Sequence, residues 1–134
     1  MTSPTIRRAA TACLALLAVA TLGGCYLIGI NERAEVSFAT YEEVMSSSEG
    51  IRIPDLVPED AREVRLAYNT LDEGSAVAFD SDGGLTAEYC AESTVEVDPP
   101  LDPSWWPEAP EQSGGWTCGD WSVIEVEDTF YTWR

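Results

Sequence analysis

Two hydrophobic patterns divide the chain. From Ala9 to Ala20 nearly every residue is apolar, with no alternation that would leave one side in water. Further along, Val64, Leu66 and Tyr68 alternate with Arg65, Ala67 and Asn69, the period of a strand with one buried face. A second strand is predicted at Ala76 to Asp80, with Leu71-Asp72-Glu73-Gly74 as the turn between the two. Thr94 to Val97 reads as a short strand. Trp121 to Val126 and Thr129 to Trp133, with a turn near Glu127-Asp128, predict a C-terminal β-hairpin. Helical signals are fewer. Thr40-Tyr41-Glu42-Glu43 has the form of a capping box and predicts a helix from Tyr41 to Ser47. Leu85 and Tyr89 stand four apart and predict a second helix over Leu85 to Ala91, although Leu85, Ala87 and Tyr89 also alternate as on a strand. Ile53 to Ala61 and Asp98 to Pro110 are studded with prolines and read as extended, non-ladder segments. The expected fold is α+β: a small antiparallel sheet with one or two helices, one disulfide and a C-terminal β-hairpin.

The first apolar run differs from the rest in its flanks. Arg7 and Arg8 precede about 12 apolar residues, inside the range of roughly 7–15 for a secretory signal and short of the roughly 20 needed to span a bilayer. Leu22-Gly23-Gly24-Cys25 follows. These residues resemble the lipobox of bacterial lipoproteins, which implies cleavage before Cys25 and a diacylglycerol on its thiol. The resulting layout is a signal over residues 1–24, a lipidated tether over 25–36 with no regular period, and a single extracytoplasmic domain over 37–134. The alternative is that Ala9 to Ile30, about 22 largely apolar residues, stay as an anchor helix. Either layout places the domain outside the cell, attached to the membrane.

Processing changes the counts. The whole chain carries seven arginines, no lysine, no histidine and 24 carboxylates, for a net charge of −17. Loss of Arg7 and Arg8 leaves five arginines against the same 24 carboxylates, a net charge of −19. Such a surface repels nucleic acid and anionic lipid headgroups, which makes both poor partner expectations, and much of the charge serves solubility. Of four cysteines, Cys13 and Cys25 belong to the signal and the lipid site. Cys90 and Cys118 remain, and outside the cell such a pair is expected as a disulfide. Two thiols without histidine do not make an ordinary four-ligand zinc site, so no metal or cofactor is expected.

Gly50 through Phe79 runs Ile53-Pro54-x-Leu56-x-Pro58-x-x-Ala61, then a strand, an Asp in the turn and an apolar strand. This resembles the head domain named after the bacterial protein YbbD, found in small exported lipoproteins. The resemblance spans about 30 of the 134 residues. It implies an α+β domain and supplies no catalytic residues.

Candidate chemistry is narrow. Without histidine or lysine, Ser-His-Asp, Cys-His and Schiff-base mechanisms are excluded. Hydrolysis by paired carboxylates stays open, though 24 acids supply many pairs without specificity. Asp80-x-Asp82-Gly83 suggests a calcium loop, but with Gly83 at its sixth position Ala78 falls at the first and Tyr89 at the twelfth, so a turn is the better reading. All five tryptophans lie in the last 30 residues. Trp121 and Trp133 are expected in the core and Trp116 over the disulfide, whereas Trp105-Trp106, held between prolines, is the expected contact surface. The leading functional expectation is a non-enzymatic envelope lipoprotein that binds another protein. A glycan-binding module and a carboxylate hydrolase are the alternatives.

Overall fold

In the computed structural model, which describes residues 33–71 and 74–134, alternating side chains organise almost every element. Seven strands form one antiparallel sheet: β1 (Arg33–Thr40), β2 (Arg62–Asn69), β3 (Ser75–Asp80), β4 (Cys90–Glu96), β5 (Gln112–Cys118), β6 (Trp121–Val126) and β7 (Thr129–Trp133). Their spatial order is β1-β2-β3-β7-β6-β5-β4. Among the described residues, helix is confined to α1 (Tyr41–Met45) and a 3₁₀ turn, Ser48–Arg52. The fold is therefore nearly all-β, which corrects the α+β expectation.

The second helix fails for a reason of reach. β3 ends beside Thr129 at one end of the sheet, while β4 begins beside Cys118 at the other end and on the far edge. Residues 81–89 must cover that diagonal. As a helix they would advance only about 13 Å, against about 20 Å for the length of a strand alone. They stay irregular, and Leu85 and Ala87 pack on the core while Tyr89 points outward. Three strands also exceed the expectation: β1 takes in residues 33–36 of the expected tether, β4 starts at Cys90 and so takes the last two residues of the expected second helix, and β5 forms across Gly114-Gly115.

Both sheet faces are covered. On the first, Leu66, Val77, Phe79, Val123 and Phe130 pack beneath Val44 of α1 and beneath Leu56, Val57 and Ala61 of the proline-rich segment. On the second, Ala76, Ala78, Val95, Ile124, Tyr131 and Trp133 are covered by Val97, Trp105, Trp106 and Ala109 of the loop joining β4 to β5. Thr40 caps α1, its Oγ1 accepting from the Glu43 amide at 3.2 Å, while Glu43 Oε2 reaches one residue beyond the cap and accepts from the Ala39 amide at 2.8 Å. The helix stops at Met45, where the Ser46 and Ser47 hydroxyls donate to Glu42 and Val44 carbonyls and compete with a further turn.

Cross-strand register defines two ends. Arg33 faces Asn69, Tyr68 faces Ser75, Ala76 and Ser122 face Trp133, and Cys118 faces both Trp121 and Cys90, a row that crosses the whole sheet. At the opposite end Arg62 faces Thr40 and Asp80, and Thr129 faces Asp80 and Val126. The Cys90–Cys118 disulfide fastens edge strand β4 to β5. At the Asp80 end the β6–β7 hairpin turns through Glu127 and Asp128, both with positive φ (52° and 69°), as a two-residue turn with two left-handed positions requires.

Candidate functional site

A concavity of about 680 Å³ lies on the first face at the Asp80 end. Its floor is aromatic. Phe130 stacks on buried Phe79 with centroids 5.4 Å apart, and the half-buried Trp116 ring tilts against Phe130 at 6.1 Å. These residues come from β3, β5 and β7, and alternation along each strand is what turns the three rings to the same face.

Asp80, Asp82, Glu125 and Asp128 line the depression, with Arg62 the single cation. Arg62 is already engaged by Asp82 at 2.9 Å. Asp80 accepts the Thr129 hydroxyl at 2.6 Å, which ties β3 to β7 at the rim. Behind the rim, Asp60 accepts the Ser81 hydroxyl at 2.7 Å and the Gly83 amide at 3.1 Å. The Ser81 hydrogen bond, then that of Gly83, hold the Asp60 carboxyl below its ordinary value, with Arg62 adding to the effect. The Asp80-Ser81-Asp82-Gly83 segment is thus a fastened turn, as its sequence suggests. Among the described residues no three carboxylates or thiols come together as a metal site. The arrangement can receive a cation over an aromatic floor, with carboxylates at its margin.

Trp105 and Trp106 stand on the other face. Both are half-buried. Trp106 meets Tyr131 and Trp133 edge-on, at centroid distances of 5.6 and 5.4 Å, and the Arg65 guanidinium lies 5.5 Å over Trp105. Their loop is a strap that crosses from β4 to β1, where Glu35 receives the Ser104 hydroxyl at 2.7 Å and Arg33 donates to the Asp102 carbonyl. The Ser104 hydroxyl is the main reason the Glu35 carboxyl lies below its ordinary value; burial pushes the other way, and the Ser104 amide and then Arg33 add to the lowering.

The two tryptophans therefore sit in a cover over the second face. Trp133 is buried in that core, whereas Trp116 and Trp121 are half-buried on the first face. Cys25 lies outside the described residues. Sequence reasoning missed the depression because its acids are spread from residue 80 to residue 128 and meet only through the β3–β7 pairing. No family model, no curated protein and no solved structure matches the chain.

Proposed function

We propose that this chain is a membrane-anchored extracytoplasmic lipoprotein, tethered through Cys25, that acts as a non-enzymatic protein-interaction module of the cell envelope. The depression over Trp116 and Phe130 is its binding surface, and a cationic segment of another envelope protein is its occupant. One observation carries this reading: four carboxylates surround an aromatic floor whose single arginine is already paired. A lysine or arginine side chain entering there gains both cation–π attraction and charge-assisted hydrogen bonds. The depression belongs to the end of the sheet opposite Arg33, the residue through which the tether joins the sheet.

The same floor supports a second reading, a glycan-binding module in which Trp116 stacks on a sugar ring and the carboxylates accept its hydroxyls. Titration separates the two. A lysine-rich peptide is expected to shift the tryptophan emission and to lose affinity by about 3- to 30-fold in Trp116→Ala, the span of one partly desolvated cation–π contact. A response to cell-wall oligosaccharides without a response to the peptide would replace the first reading by the second. Cross-linking of the tethered protein in its own membrane then identifies the neighbour. A mass for the mature N-terminus without diacylglycerol on Cys25 removes the lipoprotein assignment and leaves residues 9–30 as the anchor.

A further inference from the structure

At the Arg33 end of the sheet the surface changes character. Three of the four large apolar side chains that are exposed among the described residues gather there: Ile51 (90 % exposed), Leu71 (70 %) and Tyr89 (54 %). Ile51 belongs to the 3₁₀ turn, Leu71 follows β2, and Tyr89 precedes β4. Between Ile51, Tyr89 and the half-buried Trp121 runs a groove of about 340 Å³, which Arg52 and Arg134 also line. Arg33 stands in the same end row, at the start of β1.

The state of the two groove arginines is unusual for so acidic a chain. Arg52 lies 4.0 Å over the Tyr68 ring and Arg134 lies 5.0 Å over Trp121. Neither forms an ion pair within the described residues, although Asp55 and Asp120 line the same groove. A guanidinium stacked on a ring keeps its edge donors free, and those donors match phosphate. At the opposite end the turns carry Asp80, Asp82, Glu127 and Asp128, and Arg62 there is consumed by Asp82. The Arg33 end has acids of its own, Asp55, Glu88 and Asp120, so what sets it apart is its two ring-stacked arginines and its exposed apolar side chains.

We propose that the Arg33 end is a membrane-docking surface: Ile51, Leu71 and Tyr89 enter the interfacial region of the bilayer while Arg52 and Arg134 receive the phosphates of lipid headgroups. The inference rests on the membrane attachment proposed above, because the chain enters the sheet at Arg33 and this end is therefore the first that attachment ahead of it offers to the bilayer. It also revises what net charge alone implies. A chain at −19 is repelled by an anionic leaflet as a whole, but screening limits that repulsion to about 8 Å at physiological salt, so the nearest end dominates. Apolar side chains flanked by arginine and aromatic residues have the composition of an interfacial contact.

The test uses the full chain in vesicles of phosphatidylcholine and phosphatidylglycerol that contain a lipid with a photoactivatable group near its headgroup. Adducts are located by mass spectrometry. Labelling is expected at Ile51, Leu71 and Tyr89, with none at Glu127 or Asp128, and is expected to fall about fivefold for each of Arg52→Gln and Arg134→Gln, the value of one cation near an anionic surface. Ile51→Ser, a change at a side chain almost wholly in solvent, should lower labelling at Leu71 and Tyr89 without altering the thermal transition. Equal labelling at both ends, or none at the Arg33 end of a chain that floats with the vesicles, overturns the docking surface and spares the anchor. The mass of the N-terminal peptide reports lipidation separately, since an anchor helix delivers the same end. A chain that does not float overturns both.

Discussion

Thr132 is fully buried on β7 between Val77 and Val123, and its hydroxyl has no hydrogen-bond partner among the described residues. Valine has nearly the same shape without the polar atom, so Thr132→Val should raise stability by about 1–2 kcal/mol, the cost of an unsatisfied buried group. Chemical denaturation of the two proteins checks this. A second residue-level strain sits in the β6–β7 turn, where Glu127 and Asp128 adopt left-handed φ values that their side chains disfavour. Replacing them by Asn-Gly should stabilise the hairpin by about 1 kcal/mol and raise the melting temperature. Gly115 is different. A Cβ there would lie 2.1 Å from the Val123 carbonyl oxygen, so the close approach of β5 to β6 admits no side chain.

That glycine explains part of what the sequence hid at the scale of elements. β2 was legible because Val64, Leu66 and Tyr68 alternate with Arg65, Ala67 and Asn69, and β3 and the β6–β7 hairpin because they are short, largely apolar runs bounded by turn residues. β5 was not, since Gly114-Gly115 interrupts the pattern where the backbone must approach its neighbour. β1 alternates Val36 and Phe38 with Ser37 and Ala39, but its proximity in sequence to the apolar run that ends at Ile30 makes it read as tether. The depression was hidden for another reason: strand order β3-β7 is a tertiary fact, and only that neighbour relation joins Asp80 to Asp128. The disulfide was legible from the cysteine count together with the compartment the sequence leads one to expect. With its cysteines 28 positions apart, its removal by Cys90→Ala with Cys118→Ala should cost about 3–4 kcal/mol and expose β4 to hydrogen exchange first. Protection that is lost uniformly would show that the bridge does not serve the edge in particular.

Over the whole sheet, the strap is the longest-range tie, since its Ser104 contact brings a loop between β4 and β5 to the opposite edge strand. Glu35 makes this tie sensitive to acid. Its carboxyl is held below the ordinary value in the folded chain, so the contribution is complete above the unfolded carboxylate range and is lost as pH falls through the lowered folded value. Acidification should therefore release the strap and change the near-ultraviolet circular dichroism of Trp105 and Trp106 before the sheet unfolds. Glu35→Gln should show that spectrum with a weaker pH response.

The alignment of the two ends with the strand axes has a mechanical consequence. If a partner is held over Trp116 and Phe130 while the anchor lies ahead of Arg33, any load between them enters β1 and leaves beside β3 and β7, running along the strands. Such a pull shears the β1–β2 ladder, whose seven registered pairs share the force, instead of unzipping them in sequence. The chain is thereby built to bear tension in the one direction in which a tethered binder would meet it.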